Sequence, residues 1–417
     1  MITKFTPVGD EAMYRAGRHN VYALNFFVAA MQTGFGPFVA VWLVGQGWSL
    51  TEVGVALSIG TIAGLAAQIP GGALVDRMRL KRPITAVAVV VLGVAALLIG
   101  IRPTLPSVWA AEILHSAGSA IITPAIAALT LALSGHDSFS DRLGGNARYA
   151  ALGSAGAALL FGLAATHFGD GSIFIITAAL TLPAVLAVLS VRRGLVQATP
   201  EHHRAIAPAR EQENPPWFIF RNPTFHVFAL CVILFQLGNA GLLSLALGEL
   251  SERDQASGFV VSGSIIVPAL VVALCSPWAG AAARCLGRRA VLTIGFFALP
   301  ARAVLFAFHL GPEAVIVFEV LDGVSATVLG IMIPLIAADL TAKTGHLNLA
   351  IGTFGLAGGL GATFSTTVSG WIADRMGAEA GFLSLALVGA AAAALILFAM
   401  PETRPANEAG EPAAAVA

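Results

Sequence analysis

The sequence has little charge: of its 417 residues, 11% are Asp, Glu, Lys or Arg, against about a quarter in an ordinary soluble domain. With 57% hydrophobic residues and a mean hydropathy of +0.83, too little polar sequence remains to coat a globule, so a water-soluble fold is excluded. Charge of one sign is not in excess either. The 23 basic residues balance 23 acidic ones, so nucleic acid is not expected as a partner and no acidic tail is indicated. Cysteine is scarce, and Cys231, Cys275 and Cys285 lie in or beside apolar runs without metal-ligand spacing, reading as small buried side chains. The first apolar run follows Lys4, Arg15 and Arg18, is longer than a signal-peptide core and lacks a cleavage site, so it is expected to stay as a membrane span. No Gly-x-x-x-x-Gly-Lys-Ser/Thr sequence is present, which removes ATP as the direct energy source. No Ser/His/Asp or metal-ligand constellation is spaced for chemistry, and the polar loops are too short for a catalytic domain. The chain is therefore not read as an enzyme, and no cofactor or metal is expected.

What fills the sequence is long apolar runs. A hydrocarbon core of about 30 Å needs about 20 apolar residues in helix, and twelve such runs occur: 20–44, 52–75, 83–101, 107–133, 145–168, 172–192, 224–248, 257–283, 290–309, 314–341, 348–373 and 379–400. They tolerate glycine and proline, as in Gly34-Phe35-Gly36-Pro37 and Ile69-Pro70-Gly71-Gly72, because neighbouring membrane helices re-satisfy freed backbone groups. With the N-terminus inside, nineteen of the 23 basic residues fall in cytoplasmic segments or at the span ends that border them, Arg102, Arg253 and Arg375 fall outside, and Arg302 lies deep within a span. The positive-inside rule then places both termini in the cytoplasm. The expected organisation is a cytoplasmic N-terminus at 1–19, a six-helix half at 20–193, a cytoplasmic linker at 194–222, a second six-helix half at 223–400 and a cytoplasmic tail at 401–417. His202-His203 in the linker reads as a solvated pair rather than a metal site.

Aligned on itself, the chain repeats a Gly-x-x-x pattern at the ends of spans two, five, eight and eleven: Gly72 to Asp76-Arg77, Gly162 to Thr166-His167, Gly280 to Arg284-Cys285 and Gly370 to Asp374-Arg375. The glycines are 90, 118 and 90 residues apart, so each half holds two three-helix units and the halves are offset by 208. Nested repeats of this kind build transporters from inverted units within two parallel halves.

On these residues the chain resembles a member of the major facilitator superfamily. That family's signature after span two is matched by Gly72, Asp76, Arg77, Lys81 and Arg82, with Arg79 where a second glycine is usual. The second-half copy keeps Gly280, Gly287, Arg288 and Arg289 but places Arg284 at the acidic position. The resemblance implies an all-α fold of twelve transmembrane helices in two pseudo-symmetric halves, each of two inverted three-helix repeats. It also implies that the motif residues form a cytoplasmic latch in the outward-facing state. On the residues alone, the same arginines and lysine also serve as a topology signal.

Ionisable residues inside spans are costly and usually face a cavity or a partner. Among those here are Glu112, His115, His226, Arg302, Glu319 and Asp322. Glu112 and His115 of span four map onto Glu319 and Asp322 of span ten at an offset of 207, which also carries Gln32 of span one onto Asn239 of span seven. Spans one, four, seven and ten line the central cavity in the resembling family. The i, i+3 spacing puts the members of each acid-containing pair on one helix face, the arrangement a proton-coupling or substrate site requires; a vestibule of ordinary ionised side chains is the alternative. Arg302 is expected to pair with Glu319 or Asp322, and His226 to lie at the interface. Glu112 stands where drug and proton antiporters usually carry an arginine, and span five lacks their Gly-Pro, so the resemblance is to the superfamily rather than to that branch.

The expected function is secondary active transport of a small organic solute by alternating access, coupled to protons, in the inner or plasma membrane. Export of an amphipathic or cationic compound is favoured because acids outnumber bases among the cavity residues. Uptake of a metabolite or organic anion through Arg302, or a membrane sensor that binds without transporting, are the alternatives. The expected partners are a small-molecule substrate, protons and lipid, with the chain acting as a monomer.

Overall fold

The computed structural model describes residues 8–35, 37–48, 50–78, 81–101, 103–134, 138–191, 215–253, 258–308, 311–342 and 344–405. The expected linker residues 194–214, together with Arg79, Arg102 and Lys343, lie outside them. Twelve helical segments are long and apolar enough to cross a membrane: His19–Ala40, Glu52–Arg77, Lys81–Ile101, Leu105–Ser134, Phe139–Phe168, Ser172–Ser190, Pro223–Leu250, Gly263–Cys285, Arg288–Phe308, Pro312–Thr341, Leu347–Met376 and Ala378–Ala399. We number them one to twelve. Helix is what apolar sequence of this length must form in lipid, where each backbone N–H and C=O has to be satisfied within its own segment. Large apolar side chains such as Ile62, Leu182, Leu387 and Phe398 face outward, an arrangement suited to acyl chains and not to water.

The chain divides into two compact units, Met1–Arg142 with Tyr149–Glu213, and Leu143–Arg148 with Asn214–Ala417. Within the first, span four packs on spans two and three, and span six on one and three. Within the second, span ten packs on eight and nine, span seven on eleven and twelve, and span nine on twelve.

The internal repeat holds to the residue in three spans of each half. Spans three and nine, and spans four and ten, are offset by 207 at both ends, and spans five and eleven by 208. Gly169 and Gly377 close spans five and eleven at φ 81° and 91°, donating their N–H groups to Ala165 and Ala373. This positive-φ helix stop is one that glycine adopts without strain. Close helix approach repeats as well: Gly153 leaves no room for a Cβ against the Phe26 carbonyl, nor Gly361 against the Ile233 carbonyl.

Span one departs from the uninterrupted run expected at 20–44. Its helix stops at Thr33 and a new helix runs over Pro37–Gly45. Proline lacks an N–H and disfavours helical backbone at the residue before it, and it is well suited to start a helix. The break therefore follows from Gly34-Phe35-Gly36-Pro37. Span seven has Gly241-Leu242-Leu243-Ser244 at the corresponding place and stays helical throughout.

Candidate functional site

In the first half, Glu112 and His115 sit on one face of span four but turn to different neighbours. Glu112 is 5% exposed and abuts span two at Gly60, where a Cβ would collide with its carboxylate. Its Oε1 has no hydrogen-bond partner among the described residues. His115 stacks its ring on Phe35, centroids 3.8 Å apart and planes 10° from parallel, so it reaches a residue within the break in span one. Its buried Nε2 is likewise without a partner among the described residues. Gln32, two residues before the break, donates from Nε2 to Ser119 Oγ of span four at 3.1 Å.

In the second half the equivalent residues converge on one guanidinium. Arg302 of span nine is 2% exposed; its Nη1 lies 2.9 Å from Glu319 Oε2 and 2.6 Å from Asp322 Oδ1. Its Nη2 donates to Asn239 Oδ1 of span seven at 2.7 Å. The Glu319 side chain is 1% exposed and that of Asp322 23%. Removing one partner from a buried ion pair costs about 3–5 kcal/mol because an uncompensated charge is left behind. One guanidinium here serves two carboxylates, so the cluster has an acid to spare.

The offset of 207 explains the contrast. Span three holds Ala95, fully buried, at the position of Arg302, so no cation is supplied to Glu112. Arg302 was legible as a charge in an apolar run; Ala95 and Gly60, which shape the other site by their smallness, carry no such signal. His226 is exposed near the start of span seven, with Nδ1 3.1 Å from the Asn222 carbonyl.

The motif residues form helix-end contacts. Gly72 is buried in span two, Asp76 and the exposed Arg77 lie on its last turn, and Lys81 Nζ donates to the Val75 carbonyl oxygen. Arg82 donates to the Val188 carbonyl at 3.4 Å and to that of Leu189, at the end of span six. Basic groups on the last carbonyls of a helix satisfy orphan acceptors and complement the dipole. In the second half Gly280 is buried within span eight and Gly287 turns the chain at φ 95°. Arg288, 1% exposed, pairs through Nε with Asp339 Oδ2 at 3.0 Å, and Arg289 Nη2 reaches the Leu397 carbonyl.

Four residues not singled out from sequence complete this end. Glu402 accepts the N–H groups of Arg288 at 2.8 Å and Arg289 at 3.1 Å, capping span nine. Arg404 Nη1 donates to the Arg284 and Cys285 carbonyls at 3.1 and 2.8 Å, and Thr403 Oγ1 lies 3.2 Å from Asp339 Oδ2. Asp339 could have been found as an acid inside the run 314–341. Glu402-Thr403-Arg404 looks like an ordinary polar tail.

The sequence profile of the Major Facilitator Superfamily matches residues 21–247 and again 228–416. An uncharacterised MFS-type transporter of Mycobacterium tuberculosis strain H37Rv is 32% identical over 384 residues, covering 91% of this chain and 92% of that protein. Among solved structures, the proton:xylose symporter XylE bound to 6-bromo-6-deoxy-D-glucose superposes with a TM-score of 0.74 at 14% identity, over 94% of this chain and 97% of that one. The Escherichia coli fucose:proton symporter FucP gives 0.69 at 15%, over 92% and 98%. The human organic anion transporter MFSD10 gives 0.66 at 13%, over 94% and 100%. At these identities the likeness to solved structures is one of fold.

Proposed function

Because the chain belongs to the major facilitator superfamily and is a secondary transporter of a solute, we propose that it is driven by protons and exports an amphipathic or cationic organic compound. The observation that carries this reading is a charge count: the acids Glu112, Glu319 and Asp322 stand against one guanidinium, that of Arg302, which pairs with Glu319 and Asp322 and not with Glu112 among the described residues. A carboxylate held away from water without a cation is costly, and a proton or a cationic solute is the compensating charge that remains. Glu112, with no basic partner among the described residues, is the leading proton carrier. The acid in excess beside Arg302, with Asp322 its more open member, is the leading contact for a cationic solute. Arg302 itself is engaged on three side chains, which disfavours its use as an anion contact. XylE and FucP are both proton symporters, which agrees with proton coupling in this fold. Alternating access, the inner membrane, cytoplasmic termini and a monomeric working unit belong to the same proposal, the orientation resting on the distribution of basic residues.

A thermal-shift screen of the purified protein against organic cations and anions identifies a solute, and proteoliposomes then test the coupling. Glu112→Gln is expected to retain exchange at symmetric pH and lose accumulation driven by a pH gradient. Accumulation at parental level in Glu112→Gln, Glu319→Gln and the double variant would remove both acids from the coupling step. A solute that binds but shows no counterflow would identify a sensor.

A further inference from the structure

Span seven runs as one helix, yet one of its turns is held by a side chain of span eleven. Ser365, fully buried, accepts the Gly241 N–H at 2.8 Å and donates to the Leu237 carbonyl at 2.7 Å. Those backbone groups are four residues apart, the pair that an α-helix joins to each other. A hydroxyl with a partner at each end of one helical bond is placed to carry both when that bond opens, and a side chain entering the ladder is one of the few causes of a sharp helix bend. The approach of the two helices is tight: a Cβ on Gly241 would lie 2.7 Å from Ser369 Oγ and 3.0 Å from Ser365 Oγ.

Asn239 stands in the middle of this turn, with its Oδ1 on Arg302 Nη2. The turn is thus gripped from span eleven by a hydroxyl and from span nine by a guanidinium. The repeat shows what the same turn does without such support. In span one it is Ala30–Gly34, and the helix ends within it, at Thr33. The counterpart of Ser365, offset by 208, is Ala157, buried with Ala30 in one apolar cluster and unable to hold backbone groups. In span one the Gly34 N–H turns instead to the Met31 carbonyl at 3.1 Å, so the helix tightens and ends where span seven runs on.

We propose that span seven opens at Leu237–Gly241 in the transport cycle, that Ser365 is the positioning residue carrying the freed N–H and C=O, and that opening lifts Asn239 off Arg302. The ion cluster and the helix bend are then one event: whatever draws the Arg302 guanidinium from Asn239 loosens the turn, and whatever loosens the turn exposes the guanidinium. Discontinuous helices at the binding level are a recurring device of transporters. Here one copy ends its helix at this turn and the other runs through it.

Hydrogen exchange of the full-length protein in nanodiscs tests this without a solute. Ser365→Ala is expected to raise exchange in peptides covering 237–242 by about three- to tenfold, the worth of one hydrogen bond, with spans nine and ten unchanged. Ser365→Thr, which keeps the hydroxyl, should remain within about twofold of the parent there. Asn239→Ala, releasing the other grip, should raise exchange in the same peptides. A rise spread evenly over the half after Ser365→Ala would make the serine a packing residue and overturn the proposal, as would no change at 237–242. A silent Asn239→Ala would overturn the link to Arg302. None of these variants touches Glu112, so failure here leaves proton coupling standing, and failure of proton coupling leaves the bend standing.

Discussion

Spans three, four and five match spans nine, ten and eleven in helix ends to within a residue, yet the two halves differ in the charge they bury. Spans four and ten each present an acid at the same level, Glu112 and Glu319, yet Glu319 meets a guanidinium at 2.9 Å while Glu112 meets a glycine and no basic group among the described residues. The difference traces to neutral positions: Ala95 where span nine has Arg302, and Gly60 giving the acid its room. Helix lengths and stops are set by backbone satisfaction in lipid, which both copies obey alike. Buried charge is set by a few side chains, which are free to diverge once the scaffold is held. The half with the paired acids holds an ion cluster, and the half with the lone acid holds the residue proposed above as the proton carrier.

The most disruptive way to break this contrast is Arg302→Ala, which leaves two acids uncompensated in a poorly solvated site. A loss of about 3–5 kcal/mol is expected, read as a large fall in melting temperature or in yield of folded protein. Adding Glu319→Gln and Asp322→Asn should recover most of it, since no charge then remains to be paired. Folded Arg302→Ala protein of parental stability would show the cluster to be well hydrated and erase the distinction between the halves.

The fold was legible because its signal is coarse. Twelve apolar runs of sufficient length, a basic bias and a 208-residue offset survive an error of several residues at each end. The candidate site was legible only through its charges: Glu112, His115, Arg302, Glu319 and Asp322 are conspicuous because ionisable residues are rare in apolar runs. The partners that decide what those charges do were not. Phe35, Ala95, Gly60 and Ser365 are ordinary in a sequence with 45 glycines and 24 phenylalanines, and only helix packing brings them to the site. Span one shows the same limit, because Gly34-Phe35-Gly36-Pro37 reads equally well as a tolerated irregularity or as a break.

At the other end of the helices the comparison runs between Glu402 and Asp76. Glu402→Gln removes the charge from a carboxylate that holds two backbone N–H groups at the start of span nine and a third on Arg404. A loss of about 1.5–3 kcal/mol is expected for charge-assisted bonds of this kind, measured by thermal unfolding in detergent and in nanodiscs. A change under about 0.5 kcal/mol would place this segment outside the folded unit. The first half has no equivalent tail contact among the described residues, its span ends being served by Lys81 and Arg82.

Gly60→Ala sharpens the contrast at the acids. The new Cβ would press on the carboxylate end of Glu112, a flexible group that can move aside, so overpacking should cost only about 1 kcal/mol. The expected signature is normal expression with a displaced pH profile of solute exchange. An unmoved profile would show that the position of Glu112 does not matter to the proton step.

The smallest stability effect is expected at Asp76→Asn. Asp76 is half-buried at the end of span two, and Lys81 beside it directs its donors to the carbonyl oxygens of Val75 and Asp76, contacts that the substitution leaves in place. Loss of one partly solvated charge should therefore move the melting temperature by the equivalent of no more than about 1 kcal/mol. If Asp76 also serves the proposed cytoplasmic latch, the same substitution should shift the resting population toward inward-facing, because the size is kept while the attraction is lost. Cysteine-accessibility labelling from both sides of the membrane reads that shift directly. Arg284 occupies the equivalent position in the second half, so Arg284→Ala in the same assay tells whether the latch belongs to one half or both. Unchanged labelling with normal transport in Asp76→Asn would leave this acid and its basic neighbours as a topology signal alone.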